Sequence, residues 1–568
     1  MKKKYNSIMA ALLGIVLAAS SCSFLDVEPH VICSETFYAS EAEVQYGLAG
    51  VYGVMNNEPF YGNNYSLMCS NIDDLCYFNR PTTKNPTQQY KHDATASEIY
   101  DTWTWIYSGI NNANAFMEAV QNSEFDKKHS YYGEARFLRA YYHFILAQAW
   151  GDVPLRTKAV KTQAETMIAK TPQLEVLDWV VAEMEACLET AREDISVAPY
   201  RVVKTTMQGI LARVHLFMAG VSVQTTPDQK IQHYKEAQKY ADAVISSGLH
   251  QLNPNYDNVF INMISDTYEP KESMWEVDFK GDRSSPENWS NGRIGDQIGL
   301  MSTGGANFNT FNCNYSYAMY TGSLKLWDLY WTEDRTDDEK ELTTITDKRQ
   351  FRNMPPYNYA GSANYPPYGS GLTSGKCVKS IDKTPYAQDK KTTLTDELAA
   401  PGIRDCGKWR RETIYEGVMT SKNLYTTINF PILRYSDVLL MYAEATNEVE
   451  GLTQKAYDCV KQVRDRAGIK TRDMAEYDQE SFRQLVRNER GRELCFEALR
   501  KYDLIRWGVF VKEMNNYAFW TADERWQSNA KAGYAKAIGT SVMPKHIYLP
   551  IPSIELGVND LLKQNPNW

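Results

Sequence analysis

The sequence predicts a mainly α-helical protein whose amphipathic helices come in pairs, and two observations support this fold class. In several stretches, apolar residues recur at spacings of three and four, and Gly or Pro follows where the pattern stops. Between these stretches lie long segments rich in Tyr, Asn and Gly that show no helical period. We therefore expect a helical scaffold that carries long, irregular, loop-rich elaborations and few short strands.

The clearest helix is predicted over residues 134–150, where Gly151 and Pro154 end the pattern. Further helices, which form two pairs, are predicted over residues 206–221 with 234–247, and over 437–448 with 454–467 around Gly451. Small Ala side chains stand where the two helices of a pair would cross. These αα-hairpins resemble tetratricopeptide units, although a strict repeat of about 34 residues is absent. The pattern thus favours a tetratricopeptide-like scaffold of helical pairs.

The N-terminal segment resembles the leader of a bacterial lipoprotein. Three lysines precede the apolar residues 8–18, and the small residues 19–21 precede Cys22. The apolar stretch is too short to span a bilayer, which takes about 20 residues. We expect residues 1–21 to be removed as a signal peptide and Cys22 to carry acyl chains that anchor the mature chain. An ordinary secretory signal that contains a Cys by chance is the alternative.

Charge and composition exclude some classes of partner. The formal net charge is -9 and the basic residues are not clustered, so a nucleic-acid partner is not expected. The hydrophobic share of 43% is that of a globular protein, and no later apolar run is long enough to span a bilayer. We therefore expect a soluble body that meets the membrane only through its lipid anchor.

Cysteines and histidines give no sign of a metal or a cofactor. The ten cysteines lack CxxC spacing, and the eight histidines are dispersed along the chain. Cys69 could pair with Cys76 and Cys377 with Cys406, whereas the remaining helical cysteines are expected to be buried thiols at positions 187, 459 and 495. The HExxH, GxSxG and P-loop motifs are absent. The sequence therefore predicts no cofactor and no metal site. It predicts a protein that is not an enzyme.

A series of motifs, in order along the chain, points to one family. They are residues 24–26, Trp103 with Tyr107, Ile110, Asn111 and Asn114, 134–140, 151–154, 211–214, 431–445, 463–468, 489–490 with 493–497, Arg500 with 503–508, and 564–566. The strongest block reads PILRYSDVLLMYAEA, from Pro431 to Ala445. Together these motifs resemble the SusD/RagB family of outer-membrane lipoproteins that capture glycans, and the likeness spans nearly the whole mature chain.

The resemblance implies a fold, a location and a partner. It implies one SusD-like body over residues 22–568, with the helical scaffold at about 30–280 and 430–568 and a loop-rich, ligand-facing insertion at about 281–429. It also implies a protein on the outer face of the outer membrane. There the protein would bind an oligosaccharide or polysaccharide and deliver it to a SusC-like TonB-dependent transporter.

Charged residues at helical spacings fill the segment from Glu489 to Arg506. Leu494 and Phe496 lie among them, so several of these charges must be partly buried and therefore paired. A glycosidase pair formed by Glu493 and Glu497 is the functional alternative. Hydrolysis needs one protonated carboxyl group, however, whereas carboxylates beside arginines stay ionised. We expect a structural ion-pair network.

The family has no fixed ligand motif, so binding residues are predicted from aromatic side chains in polar segments. Aromatic faces cover the apolar C–H surface of a sugar ring, and polar side chains bind its hydroxyl groups. Trp275 is left out because residues 274–279 alternate like a half-buried strand. The candidates are Asp73, Tyr77, Phe78, Asn79, Arg80, Trp105, Trp289, Arg293, Tyr315, Tyr317 and Tyr320.

Three other functions stay open at this stage. The chain could bind peptides with the same transporter partnership, or be a surface glycoside hydrolase or peptidase. It could also be a helical scaffold that binds only proteins. The aromatic-rich loops favour capture of a small ligand over the last of these.

Overall fold

The computed structural model describes residues 38–81, 86–126, 128, 130–279, 290, 292–300, 316–331, 347–355, 405–410, 425–516 and 532–568. Cys22, Trp289 and Tyr315 lie outside these ranges, so the lipidation site and two of the ligand-binding candidates stay predictions. Most of the predicted insertion at 281–429 also lies outside the described residues.

The described part of the chain is mainly helical, as predicted. The first helices are α1 Glu41–Tyr52, α2 Ser97–Val120, α3 Ser130–Trp150, α4 Gln173–Cys187, α5 Lys204–Met218, α6 Pro227–Ser246 and α7 Tyr256–Ile264. The later helices are α8 Leu324–Trp331, α9 Lys348–Asn353, α10 Tyr435–Glu450, α11 Gln454–Ala467, α12 Gln479–Leu494, α13 Arg500–Arg506, α14 Phe510–Asn515, α15 Ala532–Ser541 and α16 Ser553–Val558.

Two short antiparallel strand pairs join distant parts of the chain. Strand β1 (Cys76–Phe78) pairs with β3 (Tyr320–Gly322), and β2 (Ser273–Val277) pairs with β4 (Phe430–Arg434). The strand predicted around Trp275 is therefore present, but all five residues of β2 are buried rather than alternately exposed.

The helical pairs form where the apolar period predicts them. Helices α5 and α6 pack together, α10 packs on α6 and α11, and α3 packs between α2 and α4. Gly151 follows α3 at φ +78° and Gly451 follows α10 at φ +80°, a backbone region that favours glycine. The predicted helix ends at these two positions are confirmed to within a residue or two.

The C-terminal motif closes the fold onto α3. The amide Nδ2 of Asn565 donates to the carbonyl of Trp150 at 2.7 Å and to that of Leu549 at 2.8 Å. The Gln564 side chain both accepts from and donates to the backbone of Ile551, each at 2.8 Å. These bonds satisfy a helix end and a loop that would otherwise leave buried polar groups without partners.

The charged C-terminal segment differs from the single helix that its spacing suggests. Helix α12 ends at Leu494, and α13 starts only at Arg500. Between them, Phe496 and Ala498 have φ values of +67° and +59°, which is costly for residues with a Cβ. Glu493 and Glu497 therefore do not lie on one helical turn. The turn instead directs Glu497 to Lys408 and Arg434.

The six described cysteines are free and buried. This confirms the expectation for the helical cysteines at 187, 459 and 495. The predicted pairing of Cys69 with Cys76 is wrong, because both thiols are free. The Sγ of Cys76 instead lies 3.8 Å from that of Cys406, a residue that is distant in the sequence. No helix in the described ranges is both long enough and apolar enough to cross a membrane.

Candidate functional site

Three of the aromatic candidates lie in the core. Tyr77 and Tyr320 are 0% exposed and Phe78 is 1% exposed, because they belong to the paired strands β1 and β3. The rings of Phe78 and Tyr320 meet edge to face at 5.7 Å, and Gln88 donates to the Tyr320 hydroxyl at 2.7 Å. The expectation that these rings are exposed in a loop is therefore wrong, and their contacts are those of core residues.

Asp73 is buried in the turn that leads into β1. Its Oδ1 accepts hydrogen bonds from the backbone N–H groups of Leu75 at 2.8 Å and Cys76 at 3.1 Å. Burial, together with the neighbouring charge of Asp74, raises the pKa of Asp73 above its usual value. This candidate therefore shapes a turn and does not offer its carboxylate to the solvent.

Asn79 and Arg80 join the two groups of candidates that the sequence separates. Asn79 is buried, and its Nδ2 donates to the carbonyl of Ala318 at 2.9 Å and to the hydroxyl of Thr321 at 2.6 Å. Arg80 is half-buried and donates from Nη2 to the carbonyl of Tyr317 at 2.7 Å. Asn79 is thus an internal brace, whereas Arg80 and Tyr317 lie together at partly exposed positions.

Arg293 continues this surface through Asp296. Its guanidinium donates to Asp296 Oδ2 at 2.7 and 3.0 Å, and the carbonyl of Asp296 accepts from the N–H of Tyr317 at 2.8 Å. The same guanidinium lies 3.5 Å from Glu58 Oε1 and 5.6 Å from the centre of the Tyr425 ring. Arg293 is therefore held between carboxylates and an aromatic face.

Trp105 lies on α2, one face of which is covered by the segment around Val54. Its ring is half-buried, and its Nε1–H donates to the carbonyl of Val54 at 2.9 Å. The polar atom of this indole is therefore already bonded, and only the ring itself could contact a ligand. Burial and the Glu58 carboxylate raise the pKa of Asp101, one helical turn before Trp105.

These contacts bring part of the predicted site together. Arg293 bonds through its backbone to Gly62 at 2.7 Å, and Trp105 bonds to Val54, so both border the segment between those residues. We define the candidate surface as Arg80, Trp105, Arg293, Tyr317 and Tyr425. It offers partly exposed rings beside guanidinium and carboxylate groups, which is the chemistry that a neutral polyhydroxyl ligand needs.

Sequence reasoning missed a second set of exposed rings. A groove of about 590 Å³ is lined by Tyr46, Tyr52, Tyr200, Arg201 and Asp278, which we call the tyrosine groove. The side chain of Tyr46 is 69% exposed and that of Tyr200 is 42% exposed. The helical period could have predicted that Tyr46 is exposed. The buried stripe of α1 is Val44, Leu48 and Val51, and Tyr46 lies outside it.

The suspected glycosidase pair belongs to a buried ion-pair network. Glu493 accepts from Arg466 at 2.5 Å, from Arg434 at 2.9 Å and from Arg349 at 3.2 Å. Burial alone would raise the pKa of Glu493, but Arg466 and Arg434 outweigh it and hold that pKa well below its usual range. The predicted structural network is confirmed, and a proton-donating role for Glu493 is not supported.

The chain is similar in sequence to SusD-like proteins. A family model described as "Starch-binding associating with outer membrane" matches residues 23–216. A SusD-like protein of Formosa agariphila is 24% identical over 97% of this chain and 96% of its own length. The starch-binding protein SusD of Bacteroides thetaiotaomicron is 22% identical over 82% of this chain and 78% of its own length.

Solved structures share the fold. A SusD homolog from Bacteroides thetaiotaomicron superposes with a TM-score of 0.78 at 24% identity, covering 94% of this chain and 98% of that one. A laminarin-binding SusD-like protein gives a TM-score of 0.63 at 19% identity, with coverage of 94% and 100%. The model of the SusD family itself matches residues 271–568, more than half of the sequence. The chain belongs to the SusD family.

Proposed function

We propose that this protein binds an oligosaccharide or polysaccharide at the cell surface and delivers it to a SusC-like TonB-dependent transporter in the outer membrane. Membership of the SusD family supports glycan binding, as do relatives whose names specify starch or laminarin. The family description over residues 23–216 supports an outer-membrane location. The transporter is inferred from the family resemblance, and peptides are the alternative ligand class.

One observation carries the choice of site. The hydrogen bond from Arg80 to the Tyr317 carbonyl joins the two polar, aromatic-rich segments from which the sequence predicts binding residues. Sugar rings would stack on the partly exposed rings of Trp105 and Tyr317, while Arg80 and Arg293 would donate to hydroxyl groups. Trp289 and Tyr315 are proposed to extend this surface. Their predicted role rests on sequence alone.

The experiment is a binding screen of the full chain, purified in detergent, against starch, laminarin, other glycans and a panel of peptides. Trp289→Ala and Tyr315→Ala should each weaken binding of the selected glycan by about tenfold, because stacking and hot-spot contacts are concentrated in few side chains. Both variants should keep the melting temperature of the wild type.

Tyr46→Ala is the matched control, since it removes an exposed ring from the tyrosine groove. It should leave the affinity unchanged. The reverse pattern, with affinity lost only in Tyr46→Ala, would place the ligand in the tyrosine groove and contradict the proposed site. Binding of peptides without any glycan would contradict the proposed ligand class.

Anchoring is tested separately. Cys22→Ala should lose acyl labelling and be released from membranes, and proteinase added to intact cells should digest the wild-type protein. Unchanged membrane retention in the variant would contradict the lipid anchor. Full protection from proteinase in intact cells would contradict the outward orientation.

A further inference from the structure

Helices α4, α5 and α6 bring together side chains of the types that bind transition metals. One carboxylate oxygen of Glu185, one ring nitrogen of His215 and one carboxylate oxygen of Glu236 all lie within 4.8 Å of one another. The three residues belong to three different helices, so sequence spacing does not reveal them. Their separation is small enough for one ion to contact all three atoms after minor side-chain rotation.

A second histidine lies beside this group. The Nδ1 of His233 lies 3.1 Å from the Nδ1 of His215. His233 and Glu236 are three residues apart on α6, so they share one face of that helix. This separation is that of a hydrogen bond between the two rings, so His233 engages the Nδ1 of His215. His233 is not among the three residues whose ligand atoms lie within 4.8 Å of one another. It can therefore orient the His215 ring from beside the cluster.

His215 is buried but incompletely bonded. Its residue is 3% exposed, and its Nε2 has no hydrogen-bond partner among the described residues. A buried polar atom without a partner costs free energy of about 1 to 3 kcal/mol and calls for an explanation. A metal ion bound at Nε2 would give this atom a partner, while Nδ1 stays bonded to His233.

The surroundings hold the group in place and leave it open to solvent. The ring of Tyr240 stacks on His215 with the centroids 5.8 Å apart, and its hydroxyl donates to Glu185 at 2.5 Å. Glu185 is exposed, which provides a path for an ion. Lys239 pairs with Glu236 at 2.7 Å, but its side chain is 61% exposed and free to move away when a cation binds.

We propose that Glu185, His215 and Glu236 form a zinc-binding site that ties α4, α5 and α6 together, with His233 holding the His215 ring in place. One imidazole nitrogen and two carboxylate oxygens, with water in the fourth position, are a ligand set that zinc accepts in tetrahedral geometry. Calcium and magnesium prefer an all-oxygen set, so the histidine selects against them. This site is independent of the proposed glycan function and stabilises the scaffold.

The test uses the full chain purified in detergent, treated with a chelator and titrated with Zn²⁺ in a calorimeter. One ion should bind per chain and raise the melting temperature. Co²⁺ should give the d–d absorption bands of a tetrahedral site, a readout independent of stability. Glu185→Gln and His233→Ala should each weaken Zn²⁺ binding by about tenfold or more. Glu175→Gln, an exposed carboxylate ten residues earlier on the same helix, should not.

Glu185 is exposed and His233 is half-buried, so these variants should remain folded, which circular dichroism will check. Failure of the folded wild type to bind Zn²⁺ would overturn the proposal. Binding that is equally strong in the wild type and in both variants would also overturn it.

Discussion

The buried network around Glu493 and the candidate surface both contain arginines that pair with carboxylates, yet they differ in exposure. Arg434 is 1% exposed and pairs with Glu272, Glu493 and Glu497 at 2.8 to 2.9 Å. The side chain of Arg293 is 16% exposed, and it lies at the edge of a surface with rings beside it. The first arrangement is closed to the solvent, whereas the second is partly exposed to it.

This difference explains why the family motifs identify the fold but not the ligand. The motifs that identify the family include Arg434, Arg466 and Glu493, and these residues form the network that joins β4, α11 and α12. Buried charges must be paired almost completely, so they constrain the fold strongly. The candidate surface has no such constraint. The same motifs therefore identify the fold without identifying the ligand.

The largest effect is expected from Arg434→Ala. The change leaves three buried carboxylates without their shared partner and should lower the free energy of unfolding by about 3 to 5 kcal/mol. Urea unfolding measures it. Lys461→Ala is the control, because it breaks an exposed pair with Asp465 on α11 and should cost no more than about 0.5 kcal/mol. Similar losses in both variants would contradict the distinction between buried and exposed charges.

Acid should weaken a second group of buried ion pairs, in which Arg506 pairs with Glu444 and Arg490 pairs with Asp437. Burial alone would raise the pKa of Glu444, but Arg506 outweighs it and lowers that pKa to about 2. Arg490 and Arg213 likewise lower the pKa of Asp437 to about 2. Because the folded-state pKa values lie below the unfolded ones, this stabilisation is present above about pH 4.5 and is lost as the pH falls towards 2.

Arg506→Ala tests this linkage for one carboxylate. Without Arg506, Glu444 loses its main partner, so the variant should lose about 3 kcal/mol at neutral pH and show a shallower loss of stability between about pH 4.5 and 2. Urea unfolding at several pH values gives both quantities. A variant that is as stable as the wild type but fails to bind the glycan would assign Arg506 to the binding site instead.

A smaller effect of opposite sign is expected at Glu276 on β2. Burial raises the pKa of Glu276 to about 7, although Ser273 and Asn429 donate hydrogen bonds to it. The folded-state pKa lies above the unfolded one, so this carboxyl group costs stability as the pH rises from about 4.5 through 7. Glu276→Gln should raise the free energy of unfolding by about 1 to 2 kcal/mol at about pH 8. It should change little at about pH 4.5, and a destabilised variant at pH 8 would contradict this explanation.

The sequence predicts the scaffold better than the site for physical reasons. The apolar period specifies α3, α5 and α10 directly, and Gly151 marks a helix end. The burial of Phe78 depends instead on a three-residue strand that pairs with Tyr320 far along the chain. Likewise, the bond from Trp105 to Val54 is a long-range contact, and no local pattern encodes it.

The turn after α12 shows a similar limit. Left-handed backbone at Phe496 and Ala498 is unusual for residues with a side chain, so propensity predicts a continued helix. The pairing of Glu497 with Lys408 and Arg434 compensates for that conformation. Tertiary contacts, which the sequence does not display, decide the backbone here.

The most direct test of the central claim is the affinity and melting temperature of Tyr317→Ala, measured with the glycan that the screen selects. Tyr317 is half-buried on the candidate surface, and its backbone carbonyl, which Arg80 contacts, is kept in the variant. If the Tyr317 ring contacts the glycan, the variant should bind about tenfold more weakly and keep a melting temperature near that of the wild type. Unchanged affinity with a sharply lower melting temperature would assign Tyr317 to the core and contradict the proposed surface.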